Sequence, residues 1–177
     1  TGYGLAYVST EDPPFARIAR INGIGIIESD EPIGAVSEDS VILSSAGASG
    51  GIIGWSSPEG AFAGRPVTGE FLPRDTVRPV SEIGSFVQQA AVAMDGDVGW
   101  LAWINDGVVT VRDWTDTLLG TPIEVVSGDA SGLHLASGAE SVLAVVGLPS
   151  PGGEGLDIAV RVFGSGEMGP LHRITQG

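Results

Sequence analysis

The sequence predicts an all-β fold, a β-propeller-like array of four-stranded antiparallel blades, and three observations predict it. Markers recur about every 48 residues, and short apolar runs alternate with turn dipeptides. The chain is also 42% hydrophobic although it holds 28 Gly and 11 Pro. High hydrophobicity argues against disorder, and many turns between apolar runs indicate many short strands. A β-sandwich of the same strands is the alternative.

Two side-chain markers define the repeat. The first is an arginine that recurs at intervals of 48, 47 and 49 residues: Arg17, Arg65, Arg112 and Arg161. The second is an aromatic residue in the preceding strand, recurring at intervals of 48 residues: Tyr7, Trp55 and Trp103, with Val145 in the last copy. We interpret both sets as structural markers, because a fixed period is the signature of stacked supersecondary units.

Two local motifs have the same phase. A Gly-Glu turn occurs at 67–73 (VTGEFLP) and 163–170 (FGSGEMGP), and a proline segment occurs at 31–33 (EPI) and 78–80 (RPV). Together the four markers predict a single β-repeat domain over the 177 residues, with repeats at about 1–36, 37–83, 84–129 and 130–177.

Each full repeat predicts four strands, which we label a to d. Strand a is SVILSSA, QAAVAM or LHLAS, and strand b is GIIGWS, GWLAWI or SVLAVVG. Strand c is FAGRPV, VVTVRDW or LDIAVRVF, and strand d is TVRPVS, PIEVVS or LHRITQ. The dipeptides Asp95-Gly96 and Asp106-Gly107 are hairpin signals between such runs.

Alternation in the last strand c predicts its two faces. Ile158, Val160 and Val162 are expected on one face, with Arg161 and Phe163 on the other. Strand b is more uniformly apolar, which is typical of a strand covered on both faces.

Two segments leave alternatives open. The segment 81–94 (SEIGSFVQQAAVAM) is compatible with an amphipathic helix capped at Ser81, but its repeat register favours a loop followed by strand a. The first repeat supplies only strands b, c and d. We therefore expect either an open array, or completion by another part of a longer chain or by a partner.

Composition excludes several partners. The formal net charge of −14 and the pI near 4.2 disfavour nucleic acid and anionic membrane surfaces. The absence of Cys excludes disulfides and thiolate metal sites. No apolar run approaches the roughly 20 residues needed to span a bilayer, so no membrane insertion is expected.

Four residues are weak candidates for binding. Asp95 and Asp97, in MDGDVG, resemble a fragment of a calcium loop, although the equivalent turns do not preserve both acids and the pattern favours a hairpin turn with two solvated carboxylates. Trp100 and Trp114 break the repeat phase, so they are the better candidates for an exposed ligand contact. We expect no cofactor, with calcium as the one alternative left open.

No residue set predicts catalysis. The recurring arginines could bind anions in a channel, but recurrence once per repeat favours a structural pairing with a loop carboxylate or an aromatic face. His134 and His172, the two histidines, show neither metal spacing nor a nucleophile partner. The sequence therefore predicts no enzyme.

One pattern resembles a known repeat. Its motifs are VAMDG (92–96) followed by Trp103, a Gly-containing turn, I/V-x-x-R-x-F/W, a Gly-rich turn and a short last strand. In the order of these motifs, the chain is similar to repeats of large exported proteobacterial proteins. Those proteins often also carry calcium-binding nonapeptide or cadherin-like modules. The match is best over 92–126, good over 138–175 and looser over 1–36 and 41–81. The resemblance implies a propeller-like module of a secreted or surface protein and carries over no catalytic residues.

These observations predict a non-catalytic binding or structural module of a secreted or cell-surface bacterial protein. It would act in adhesion or assembly through its loop faces, with a surface protein or glycan and neighbouring domains or subunits as partners. A propeller glycosidase or lyase is one alternative. A virion or appendage component completed by neighbouring subunits is another.

Overall fold

The computed structural model describes residues 2–37, 40–47, 49–115, 118–138, 141–164 and 167–175. Their secondary structure consists of sixteen β-strands, joined in antiparallel pairs into four sheets. The all-β prediction is therefore confirmed. Within these ranges, no helix has the length and apolar character needed to cross a membrane.

The first two sheets follow the chain order. Sheet 1 has three strands: β1 (Gly2–Val8), β2 (Phe15–Asn22) and β3 (Ile27–Ala35). Sheet 2 has four: β4 (Leu43–Ala46), β5 (Gly50–Ser56), β6 (Phe62–Thr68) and β7 (Arg78–Pro79).

The last two sheets have the same meander. Sheet 3 begins with β8 (Gln89–Asp95), β9 (Val98–Asn105) and β10 (Val108–Thr115). Two short strands, β11 (Leu118–Leu119) and β12 (Ile123–Val126), both pair with β10 and together form the outer edge of the sheet. Sheet 4 contains β13 (Ser131–Ser137), β14 (Val142–Pro149), β15 (Leu156–Gly164) and β16 (Glu167–Arg173). Each sheet lies within one of the sequence intervals expected for the repeats.

One predicted turn dipeptide closes its hairpin as expected, and the other is offset by one residue. Asp106 and Gly107 form the two-residue connection between β9 and β10, and their φ angles of 48° and 74° are both positive. Such a turn matches the twist of the strands that it joins. Between β8 and β9 the connection is Gly96-Asp97, one residue beyond the predicted dipeptide, with Gly96 at a φ of 57°.

The ambiguous segment at 81–94 is a loop followed by a strand. Residues 81–88 are in bends, turns and irregular backbone, and β8 begins at Gln89. The Ser81 hydroxyl accepts a hydrogen bond from the Phe62 backbone N–H at 2.9 Å, so it holds the loop against β6 instead of capping a helix. The preferred prediction is confirmed.

Three hydrophobic cores join the sheets in chain order. Core 1, between sheets 1 and 2, includes Ile18, Ile33, Ile53 and Trp55. Core 2, between sheets 2 and 3, includes Ile52, Phe62, Leu101, Trp103 and Trp114. Core 3, between sheets 3 and 4, includes Ala102, Val109, Val111, Val146 and Phe163.

Alternation along the strands gives each inner sheet two buried faces. Phe62 belongs to core 2 while its neighbour Ala63 belongs to core 1. Leu101 likewise belongs to core 2 while Ala102 belongs to core 3. Sheets 2 and 3 are therefore covered on both sides, which explains their almost continuously apolar strands.

Close packing at core 1 requires a glycine. A Cβ on Gly34 of β3 would lie 2.5 Å from Cζ2 of Trp55, so any side chain there would displace the indole. The Trp55 indole N–H donates to the Ala35 carbonyl at 2.9 Å, which anchors the ring across the two sheets. Sheet 2 is thus fixed on sheet 1 by both packing and a directional bond.

Among the described residues, each of the three cores joins sheets that are consecutive in the chain. None of the three cores contains residues of both sheet 1 and sheet 4. The arrangement also has four sheets where the alternative, a β-sandwich, has two.

Leu101→Ala tests the dependence of the fold on core 2. Leu101 is 0% exposed, and truncating a fully buried leucine leaves a cavity, so we expect the free energy of unfolding to fall by about 2–5 kcal/mol in urea denaturation. The control is Ile24→Ala, since Ile24 is 81% exposed and should change stability by less than about 0.5 kcal/mol. Equal effects of the two substitutions would contradict the assignment of the core.

Candidate functional site

The recurring arginines bridge neighbouring sheets. Nη1 of Arg65 donates to the Ile33 carbonyl of sheet 1 at 3.0 Å, and Nη1 of Arg112 donates to the Val80 carbonyl of sheet 2 at 2.7 Å. Nη1 of Arg161 donates to the Val125 carbonyl of sheet 3. We call these three residues the crossing arginines.

The other end of each guanidinium holds its own sheet. Nε of Arg112 donates to the Gly120 carbonyl at 2.7 Å, and Nε of Arg161 donates to the Gly169 carbonyl at 2.9 Å. Nε of Arg65 donates to the Asp75 carbonyl at 3.0 Å. Each crossing arginine therefore ties the outer part of its own sheet to the outer part of the preceding sheet.

These contacts correct the expected partners of the arginines. A loop carboxylate or an aromatic face was expected, whereas the acceptors are backbone carbonyls at both ends. Burial lowers the pKa of Arg112 from its ordinary value, because a low-dielectric surrounding penalises the charge, and the nearby Asp113 carboxylate partly opposes this effect. Two carbonyl acceptors compensate the partly buried charge.

Arg17 occupies the same position in sheet 1 but has different partners. Its Nε donates to the Asp30 carboxylate at 3.0 Å, and its Nη1 lies 3.8 Å from the Glu11 carboxylate. The Tyr7 hydroxyl also donates to Asp30, at 2.8 Å. The hydrogen-bonded carboxylate therefore lies in strand β3, and the loop carboxylate that the sequence predicted is represented by Glu11, at the longer distance of 3.8 Å.

Charge and hydrogen bonding set the pKa values of this cluster. The Tyr7 hydroxyl and then Arg17 stabilise the Asp30 carboxylate, so the pKa of Asp30 is lowered. Its hydrogen bond to Asp30 raises the pKa of Tyr7, and Asp30 also raises the pKa of Arg17. All three groups keep their ordinary neutral-pH charge states.

The aromatic markers do not share one register. Tyr7 pairs directly with Arg17 across β1 and β2, whereas Trp55 pairs with Ala63 and Trp103 with Thr110, two residues before their arginines. The counterpart of the two tryptophans in sheet 4 is Val146, opposite Ala159, and the expected Val145 is one residue off. Tyr7 departs from the other two because the connection in sheet 1 (9–14) is longer than the one in sheet 2 (57–61), which moves the pairing of Tyr7 along the next strand.

Trp100 and Trp114 are buried, so the expectation that they make exposed contacts is wrong. Trp100 is 8% exposed and packs edge-on against Phe163, with ring centroids 4.9 Å apart. Trp114 is 2% exposed and lies under the Arg78 guanidinium, 5.8 Å from the ring centroid. Within the described part of the chain, neither indole N–H has a hydrogen-bond partner.

A cleft lies between sheets 2 and 3 at one end of the strands. Its volume is about 360 Å³, in the range typical of small-molecule sites. Three connections contribute polar side chains to it: Ser49 between β4 and β5, Arg74 between β6 and β7, and Asp97 between β8 and β9. Trp114 lines the cleft from the core side, and the Ser49 hydroxyl donates to the Asp97 carboxylate.

Two of the four weak candidates, Asp97 and Trp114, line the cleft, and the other two, Asp95 and Trp100, do not. Asp97 is exposed at the cleft, while Asp95 is half-buried at the end of β8. Among the residues that the structure describes, no group of three or more His, Asp or Glu could hold a metal ion. Calcium at Asp95 and Asp97 stays a prediction.

Sequence reasoning missed the acceptor carbonyls of Ile33, Val80 and Val125. A signal existed for two of them, because the proline segments EPI and RPV end at Ile33 and Val80. Two of the four repeat markers, the arginine and the proline segment, are thus the donor and acceptor sides of one hydrogen bond. Nothing in the sequence indicated Ser49 and Arg74 as neighbours of Asp97.

The described residues thus form an all-β structure of four antiparallel sheets with arginine bridges between neighbouring sheets. No protein-family model matches the chain, and no curated protein is significantly similar to it.

Arg112→Met tests the bridge between sheets 2 and 3. Methionine keeps much of the apolar stem but removes both donors, so we expect the free energy of unfolding to fall by about 2–4 kcal/mol in urea denaturation. Arg20→Met is the matched control, because Arg20 pairs at 3.1 Å with Glu28 on the surface, and such pairs contribute at most about 1 kcal/mol. Stability unchanged in Arg112→Met would contradict the role of the crossing arginines.

Proposed function

We propose that the chain is a non-catalytic binding and structural module whose four sheets are successive blades of a propeller-like array. The observation that carries the proposal is the recurrence of the crossing arginine between each pair of neighbouring sheets. Arginines that bind an anionic substrate must present their donors to it. Here the donors are directed at backbone carbonyls, so the repeated chemistry of the chain serves to hold sheets together.

The first strands of the sheets support the array. The Met94 backbone N–H of β8 donates to the Ser45 hydroxyl of β4 at 3.0 Å, and the Leu133 N–H of β13 donates to the Gln89 side chain of β8 at 2.9 Å. β4, β8 and β13 therefore follow one another side by side. Such a series is expected when the first strand of each blade lies near a common axis.

The cleft between sheets 2 and 3 supports a binding role through a loop face. Three connections from two sheets contribute a hydroxyl, a guanidinium and a carboxylate, which suit a polar ligand with several hydroxyl groups. We propose a surface glycan as this ligand. The resemblance to repeats of exported proteobacterial proteins supports placing the module outside the cell or on its surface, in adhesion or assembly.

Distances between spin labels test the array. The chain has no Cys, so pairs of cysteines can be introduced cleanly at the exposed loop residues Glu11, Glu59 and Glu154 of sheets 1, 2 and 4. For successive blades we expect the shortest distance by pulsed electron paramagnetic resonance between Glu11→Cys and Glu59→Cys, and longer distances for both pairs that include Glu154→Cys. A Glu59–Glu154 distance shorter than the Glu11–Glu59 distance would contradict the chain-order arrangement.

Calorimetric titration with a panel of oligosaccharides tests the binding role. We expect saturable binding, and the oligosaccharides should keep their length. Asp97→Asn and Arg74→Gln should each weaken the binding affinity about tenfold, which corresponds to about 1.4 kcal/mol. Glu59→Gln, on an exposed loop that does not line the cleft, is the control and should bind normally. Shortened oligosaccharides would contradict a non-catalytic module, and absence of binding would contradict the glycan.

A further inference from the structure

The outer face of sheet 4 corresponds to a face that is buried in sheets 2 and 3. The residue three positions before the crossing arginine is Phe62 in sheet 2 and Val109 in sheet 3, which are 1% and 0% exposed. Its counterpart in sheet 4 is Ile158, which is 48% exposed. Val162 on the same face is 46% exposed, whereas Phe163 on the other face is 4% exposed against core 3. The predicted alternation of this strand is thus confirmed, and its outward face is apolar.

The residue after the outer strand of sheet 4 repeats the hydrogen-bond position of one acceptor residue, Val80 of sheet 2. In sheet 2, the Val80 N–H donates to the Phe62 carbonyl at 2.7 Å, and the Val80 carbonyl then accepts Arg112. In sheet 4, the Ile174 N–H donates to the Ile158 carbonyl at the same distance of 2.7 Å. Ile174 therefore stands where Val80 does, but its exposed fraction is 63% where that of Val80 is 1%.

The outer face of sheet 1 carries the matching donor. Arg17 is the counterpart of the crossing arginines, and its Nη1, the atom that reaches the preceding sheet in the other three, lies beside the exposed Glu11. Tyr7 pairs with Arg17 on this face, and the same side of β1 continues with Leu5 and Tyr3, which are 51% and 67% exposed. An apolar band thus lies next to an arginine donor.

We propose that the outer face of sheet 1 in one copy of the chain docks against the outer face of sheet 4 in a second copy. In this contact Arg17 donates to the Ile174 carbonyl, and Tyr3 and Leu5 cover Ile158 and Val162. The proposal rests on the proposed array, because it continues the interface that already joins sheets 1 to 2, 2 to 3 and 3 to 4. Each of the three interfaces joins an arginine-bearing face to an apolar face, and in the described part of the chain the outer faces of sheets 1 and 4 supply one exposed face of each kind.

The contact is heterologous, because it joins two different faces of the same chain. Heterologous contacts close into a ring when the rotation allows it. Two copies would bring eight sheets together, and propellers typically have four to eight blades. We therefore expect a closed dimer, in which each copy uses both of its outer faces.

Light scattering after size-exclusion chromatography tests the dimer. Because each copy has a net charge of −14, association should be measured at about 0.5 M salt, where the screening length falls well below 10 Å. We expect the mass to rise with concentration toward twice the chain mass of 18.0 kDa. Arg17→Glu and Ile158→Glu should each reduce association at least tenfold, whereas the control Ile24→Glu, in the β2–β3 turn, should associate normally.

Mixing the two weakened variants tests the head-to-tail geometry. Arg17→Glu retains an intact sheet 4 face and Ile158→Glu retains an intact sheet 1 face, so the mixture should form a heterodimer through one intact contact. Each variant must first show the circular dichroism spectrum and urea midpoint of the unaltered chain; if Arg17→Glu does not, Arg17→Gln replaces it. Failure of the mixture to associate, while the unaltered chain dimerises, would overturn the head-to-tail contact.

The outcome for the unaltered chain separates this proposal from the proposed function. A chain that stays at 18.0 kDa across the concentration series overturns docking of a second copy, and it leaves the array intact if Arg112→Met still lowers the stability. Unchanged stability of Arg112→Met would instead remove the array on which the docking proposal rests.

Discussion

The hydrogen bond from an arginine guanidinium to a backbone carbonyl of the preceding sheet is the interaction on which the stack of sheets depends. Apolar burial draws two sheets together but is non-directional, so it does not fix their register. A guanidinium with fixed donor geometry does, because Nε and Nη1 of Arg112 reach carbonyls of two different sheets. The hydrophobic cores supply most of the favourable free energy between neighbouring sheets. The arginines determine how those sheets are aligned.

Local signals in the sequence predicted most of the fold. The spacing of the arginines predicted the residue range of each sheet. Asp106-Gly107 predicted a hairpin, because its turn chemistry acts within two residues. The spacing of Tyr7 and Trp55 was misleading, since the connections before their partner strands differ in length and shift the pairing by two residues. The pairing register of two strands depends on the geometry of the turn that joins them. The spacing of residues in the sequence does not reveal that geometry.

The candidate site was harder to predict because its contacts are non-local. Asp97 was singled out alone, while Ser49 and Arg74 reach the same cleft from another sheet. Trp114 does not follow the repeat of the aromatic residues in strand b. It is nevertheless buried, because it lies in strand c and its side chain belongs to core 2. Backbone acceptors leave no side-chain signal, since every residue has a carbonyl.

The two sides of each interface between sheets are under different evolutionary constraints, because the donor is a side chain and the acceptor is a main-chain carbonyl. Ile33, Val80 and Val125 accept an arginine through the main-chain carbonyl, which no substitution removes, although their own side chains are buried in the cores. The segments around them, EPI, RPV and EVV, already differ within this chain. A gene duplication that copies a sheet with its arginine would therefore copy the donor together with a main-chain acceptor, and the hydrogen bond would tolerate divergence as long as the core positions stay apolar.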